Sequence, residues 1–217
     1  LIVALRRLNI GSGDEVIVPP YTFIATIQAI IMVGAMPVFV DTDRATFQID
    51  ADKIEDKITS RTSAILPVDI LGLPADMEKI TKIARRHNLL VVEDACQAWL
   101  AEINNKKCGT FGNAGCFSFQ NTKNLPIGEG GAIVSDDEEF MDRCFTHHNN
   151  GRAYGSVGSE SGVFYGFIYA GTNNRMTEYQ AAIGLAQLKR LEEQTKRREL
   201  NAEYLRSQIK DIPGILP

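Results

Sequence analysis

Leu89-Leu90-Val91-Val92-Glu93, with Asp94 next in line, is a near-continuous apolar run that ends on two carboxylates. A strand without polar alternation belongs to a sheet covered on both faces. Just upstream, Asp76 to His87 carries Met77, Ile80, Ile83 and Ala84 at helical spacing. Just downstream, Ala114–Phe119 and Gly131–Ser135 read as two more strands, and Asp136–His147 as a helix. Towards the N-terminus the alternation continues. Glu15–Pro19, Pro37–Asp41 and Thr62–Val68 read as strands. Tyr21–Val33 reads as a helix, and Ala51–Ile58 has helical periodicity with Asp50 as its N-cap. Strands alternating with helices predict an α/β fold with a largely parallel sheet and right-handed crossovers.

Beyond this core the pattern changes. Residues Asn150–Gly171 are rich in Gly, Ser and Tyr and read as a long loop. Thr177–Gln208 is the longest helical pattern, with a break or bend expected near Gln194–Lys196 and a solvated charged face over Lys189–Glu193. The chain has no initial Met. Its first residues read as the second half of an amphipathic helix ending near Gly11, and it stops just after the long helical pattern. Both ends of a longer protein are therefore expected to be missing.

Composition narrows the function. The 217 residues are 44% hydrophobic, enough for a sizeable core, and the formal net charge is −4. That balance gives no electrostatic reason to expect a nucleic acid or an anionic membrane as partner. No apolar run is long enough to span a bilayer, and the opening residues lack the order of a signal peptide. Cys96, Cys108, Cys116 and Cys144 form no CxxC pair and no zinc spacing, so no metal is expected. Reduced thiols and a cytoplasmic location are the expectation.

In an open α/β sheet, ligands sit outside the carboxyl ends of the strands. After the first strand stand Pro20-Tyr21-Thr22-Phe23. After the apolar run come Asp94 and Gln97. After Cys116-Phe117 come Ser118 and then Lys123, followed by the flexible turn Gly128-Glu129-Gly130-Gly131. Each residue has a bland reading by itself. Asp94 could cap a helix, Phe23 could be core, Lys123 could be a surface lysine, and Ser118 could be a satisfied strand-end hydroxyl.

Taken together, five blocks carry a resemblance. They are Gly13–Pro19, Val91–Ala98, Phe117–Phe119 with Thr122-Lys123-Asn124, Gly128–Ala132, and Asn173–Glu178 with Gln180-Ala181-Ala182. In order and spacing they resemble the DegT/DnrJ/EryC1/StrS aminotransferases along the whole chain. The resemblance implies a fold-type-I large domain with a mostly parallel sheet of the seven-stranded type flanked by helices. It divides the chain into a cofactor-binding domain over 1–175 and, over 176–217, a long helix leading to a smaller C-terminal domain. It implies pyridoxal 5'-phosphate as cofactor, held by Lys123 as a Schiff base, with Lys123 also moving the proton. Asp94 would pair with the pyridine nitrogen, Gln97 would donate to the phenolic oxygen, Phe23 would stack on the ring, and Ser118 would hold the phosphate. Asn173, with Arg175 as the other candidate, would reach the phosphate in the neighbouring subunit of a homodimer with shared active sites.

The implied reaction passes an amino group from Glu or Gln to a keto-sugar nucleotide or keto-cyclitol. Deoxysugar dehydratases of the same lineage typically replace the lysine by His, and a non-catalytic regulatory relative would be marked by loss of Lys or Asp. Lys123 and Asp94 argue against both. The sequence departs from the family's habits at Asp69 and Gln120, where His is frequent, and at Trp99-Leu100, where His-Gly is usual. These positions are expected on the substrate side. The Gly-Thr-Ala type turn that usually precedes the first helix, and the smaller C-terminal domain, are not in this sequence.

Overall fold

A computed structural model of the chain describes residues 1–157 and 166–215. In chain order the elements are α1 (Ile2–Arg7), β1 (Glu15–Val18), α2 (Ile24–Met32), β2 (Met36–Phe39), β3 (Thr62–Ile65), α3 (Met77–His87), β4 (Leu90–Asp94), β5 (Glu102–Ile103), β6 (Lys106–Lys107), β7 (Ala114–Ser118), β8 (Gly131–Val134), α4 (Glu138–His148), α5 (Glu178–Leu188) and α6 (Leu191–Ile209). The main sheet runs β2-β1-β3-β4-β7-β8. Every pairing from β2 across to β7 is parallel, and β8 alone is antiparallel. The mostly parallel sheet is as expected. It holds six strands among the described residues, where a seven-stranded type was anticipated, and β5 and β6 form a separate hairpin.

Both faces of the sheet are covered, as the apolar run at β4 requires. Val16 and Val18 of β1 and Val92 of β4 pack with Ala4, Leu5, Ala29, Ile30 and Phe140 of α1, α2 and α4. The intervening Ile17 and Val91 pack on the other side with Met77, Ile80, Ile83 and Ala84 of α3. This is the period of two expected of strands. Helix α3 starts where its N-cap should be: the Asp76 carboxylate accepts from the Lys79 amide at 3.1 Å.

Four local expectations are corrected. The Ala51–Ile58 segment is not an α-helix but two short 3₁₀ turns, Ala51–Lys53 and Glu55–Lys57, after which Ile58 is extended. A segment this short gains too little from packing to complete an α-helix. Asp50 does act as its cap, accepting from the Asp52 amide. The third strand stops at Ile65, since Pro67 has no amide to give the ladder. Helix α1 ends at Arg7 rather than near Gly11. The break in the C-terminal helical pattern falls at Lys189–Arg190, before Gln194–Lys196, because Leu191 turns inward against Leu125 and Ile127 instead of joining a solvated face.

The long loop expected over residues 150–171 lies partly outside the described residues, at 158–165. Its base is zipped by bridges between Arg152 and Phe167 and between Asn149 and Asn173. Gly151, at φ +78°, permits this closure. A Cβ there would stand 1.8 Å from the Tyr169 carbonyl oxygen.

Glu93 is fully buried, and its role escaped the sequence reading. One carboxylate oxygen accepts from Gly109 at 2.8 Å, the other from Phe111 at 2.5 Å and Gly112 at 2.7 Å. The carboxylate thus fixes the loop entering β7. Burial pushes its acidity towards higher pH, and the three amides pull it back. Replacing an oxygen by NH2 sets donor against donor. Glu93→Gln should lower stability by about 2–4 kcal/mol, given 1.5–3 kcal/mol for hydrogen bonds to a charged group. The check is the urea midpoint, and a midpoint equal to that of the parent would refute the role.

Candidate active site

Strands β4 and β7 are neighbours, with Asp94 in register with Cys116. Two candidate side chains therefore leave the same edge of the sheet: Asp94 as the last residue of β4 and Ser118 as the last of β7. Asp94 is only 5% exposed. One carboxylate oxygen accepts from the Thr26 hydroxyl at 2.7 Å and the other from the Cys96 amide at 3.3 Å. Thr26 spends its only proton on Asp94, so in its 2.8 Å contact with Thr22 the Thr22 hydroxyl is the donor. Thr26 is buried within α2 and was not anticipated. Its only signal was a hydroxyl four residues from Thr22 on one helical face. The main chain of Asp94 is held as well, its amide donating to the Pro67 carbonyl and its carbonyl accepting from Asp69. No helix follows Asp94, so the capping reading falls away.

Gln97 is half-buried, and its side-chain oxygen accepts from the Leu71 amide at 2.8 Å. That contact orients its NH2 group as the remaining donor. Ser118 accepts from the Gln120 amide at 3.2 Å. Lys123 is half-buried on the turn that follows, its amide closing on the Gln120 carbonyl. The Gln120 side chain is tied into the same turn, accepting from the amide and hydroxyl of Thr122. It therefore shapes the approach to Lys123. Phe23 occupies the N-cap of α2 with its ring 66% exposed, not in the core.

A cavity of about 900 Å³ opens at this edge, bordered among others by Cys96, Ser118, Gly130, Asp142, His148 and Arg175. Of the anticipated residues it gathers Ser118 and Arg175. Asp94, Gln97, Lys123, Phe23 and Asn173 do not line it, although Cys96 lies between Asp94 and Gln97 in the chain. Asn173 is exposed and bridges to Asn149. Arg175 donates to the Asn149 side chain at 2.7 Å. Trp99, expected towards the substrate, instead packs against Phe117 and Phe119.

The chemistry of these donors fits an aromatic cofactor with a basic ring nitrogen and a phosphate. Asp94 is a buried carboxylate that, among the described residues, accepts only from neutral groups and forms no ion pair. A protonated ring nitrogen is the partner such a group lacks. Among the described residues no group of three or more His, Cys, Asp or Glu is placed to hold an ion. All four cysteines are free thiols, and burial pushes each of them up, Cys144 to about 12.

Comparison with known proteins places the chain in a family. The profile of the DegT/DnrJ/EryC1/StrS aminotransferase family matches residues 1–217. GDP-perosamine synthase of Caulobacter vibrioides is 45% identical over 92% of this chain and 52% of its own length. The UDP-N-acetyl-3-dehydro-alpha-D-glucosamine 3-aminotransferase of Acidithiobacillus ferrooxidans is 46% identical over 84% of this chain and 47% of its own. The crystal structure of S. venezuelae DesV in complex with a ketimine intermediate superposes with a TM-score of 0.87 at 39% identity, covering 98% of this chain and 55% of that one. The chain belongs to the DegT/DnrJ/EryC1/StrS aminotransferase family. It spans about half the length of these relatives.

Asp69, behind the site, carries a pH dependence. It is buried, one oxygen accepts from the Ala75 amide at 3.0 Å, and the other has no partner among the described residues. Burial is the main cause lifting its pKa from 3.8 to about 7, and the nearby Glu93 and Asp94 add to it. Between those values the folded state keeps a proton that the unfolded chain has released. Stability from this group is therefore full below pH 3.8 and lost as pH rises from there to about 7. Asp69→Asn should remove that slope, leaving the protein about 1–3 kcal/mol more stable than the parent at pH 8 and little changed at pH 4. Urea midpoints at the two pH values test this, and parallel pH profiles would refute it.

Proposed function

We propose that this chain is the cofactor-binding part of an aminotransferase that moves an amino group from Glu or Gln to a keto-sugar nucleotide or keto-cyclitol. The observation that carries the reading is the buried Asp94 carboxylate, without an ion-pair partner, at the same sheet edge as Ser118 and the turn bearing Lys123. Family membership and the two sugar-nucleotide relatives support the substrate class. The cofactor is pyridoxal 5'-phosphate. When bound it supplies a reactive carbonyl carbon and a ring that accepts electrons.

The chain's own residues then have distinct tasks. Lys123 would hold the cofactor through its amine, and its Nζ would be the group that takes and returns the substrate proton. Asp94, fixed by the Thr26 hydroxyl, keeps a proton on the ring nitrogen. Gln97 donates its amide hydrogen to the phenolic oxygen. Ser118 would donate to the phosphate, and the exposed Phe23 ring would be available to stack on the cofactor. Lys123 and Asp94 favour this reading over a dehydratase or a regulatory relative. Residues 1–175 form the cofactor domain, and α5 with α6 leads to a smaller domain. Leu185, Leu188 and Tyr204, exposed on those helices, support a further packing partner there.

Asn173, exposed beside the zipped loop, reaches the cofactor phosphate of a second copy in a homodimer, with Arg175 as the other candidate. A phosphate held from both subunits would link cofactor binding to dimerisation. The enzyme works in the cytoplasm. Its free thiols support this, and among the described residues no helix is long and apolar enough to cross a membrane.

Borohydride reduction of the cofactor-loaded full-length protein, followed by peptide mapping, should place the pyridoxyl label on Lys123. Light scattering of the same sample should give a dimer. Lys123→Ala should lower transamination at least about 10²-fold. A label on Lys106 or Lys107 instead would refute the assignment, and a monomer would refute the shared site.

A further inference from the structure

We propose that Trp99 is a positioning residue that fixes the end of β7 and, through it, the Ser118 hydroxyl and the Lys123 turn. The proposal rests on the reading that those two groups hold the cofactor. It starts from a gap in the sheet. The pairing of β4 with β7 ends at Asp94 and Cys116, two residues short of Ser118. On the other side β8 continues, so that the Phe119 amide donates to the Gly130 carbonyl. The Ser118 carbonyl faces the side from which β4 has departed. There the Trp99 indole N–H donates to it at 3.1 Å. A side chain thus supplies the bond that the neighbouring strand no longer reaches to make.

The ring also clamps the strand through its side chains. Phe117 and Phe119 project on one face of β7, and Trp99 meets both, at centroid distances of 4.7 and 5.4 Å. Gly109 leaves the space Phe117 needs, since a Cβ there would stand 2.6 Å from that ring. Trp99, Leu100 and Phe119 pack on Leu125, Ile127 and Leu191, which anchors the segment following Lys123 to the start of α6. Leu100 holds φ at +64°, a left-handed conformation unfavourable for a branched side chain. The turn carries that strain while presenting the indole to β7. The effect passes along a short path: Ser118 accepts from Gln120, and Gln120 closes the turn with the Lys123 amide.

Trp99→Phe keeps an aromatic ring and removes the donor. In the cofactor-loaded full-length protein it should lower kcat on the order of 5–10-fold, the scale of one lost hydrogen bond. KM for the amino acceptor should stay within about twofold. The pH midpoint of the cofactor's visible band should shift from that of the parent, because the Lys123 amine is held differently. Trp99→Leu should do both more strongly. A purely structural residue would lower thermal stability and leave the band's pH midpoint and kcat alone, and that outcome in Trp99→Phe overturns the proposal. Should the variants not fold, the parent protein decides by NMR. The Trp99 indole proton should exchange slowly with solvent and shift on loading with pyridoxal phosphate, and rapid exchange with no shift overturns the proposal. A parent with no visible band and no label on Lys123 would instead sink the cofactor reading, leaving the indole exchange to test the Ser118 contact.

Discussion

The bond from the Thr26 hydroxyl to the Asp94 carboxylate joins the two halves of the site's support. Asp94 leaves a strand whose apolar side chains exclude water, so its charge must be met by fixed donors. Thr26 offers one from the first turn of α2, and Thr22 completes that hydroxyl's own bonding. The contact therefore fixes the position of α2 over the sheet. With it are set the N-terminus of that helix and Phe23 at its cap. The main-chain bonds of Asp94 to Pro67 and Asp69 tie the same point to the segment after β3. A carboxylate anchored on this many sides moves little, which is what orienting a ring nitrogen requires.

Around this point the sheet edge is finished by side chains where strands give out. Glu93 gathers three amides of the loop before β7, and Trp99 bonds the Ser118 carbonyl just past the end of β4. Neighbouring strands stop at different lengths, the pairing of β4 with β7 ending at Asp94 and Cys116. The same inequality exposes main-chain groups that must be satisfied.

Much of this was legible in the sequence because it depends on periodicity. The unbroken apolar run of β4, the spacing of Met77, Ile80, Ile83 and Ala84, and the Asp76 cap follow from burial and hydrogen-bonding rules that act locally. Asp94 and Ser118 could be singled out because each ends a strand, and Gln97 and Lys123 because they stand on the turns that follow. What escaped depends on contacts distant in the chain. Nothing near Thr26 announces a carboxylate 68 residues away. Adjacent Glu93 and Asp94 read alike until the sheet sends one inward to a loop and the other out towards the ligand edge. Leu191 sat inside a charged run, and only the pocket formed by Leu125 and Ile127 shows why the helix breaks before it. Trp99 was expected to face a substrate, yet it packs half-buried against Phe117 and Phe119.

The central claim is that Asp94 holds a proton on the ring nitrogen of pyridoxal phosphate at this sheet edge. It is tested most directly by loading the full-length protein with cofactor labelled with ¹⁵N in the ring and recording its nitrogen shift across neutral pH. The account predicts a protonated pyridinium throughout in the parent and a neutral pyridine nitrogen in Asp94→Asn. An unprotonated nitrogen in the parent, or an identical shift in both proteins, would contradict it.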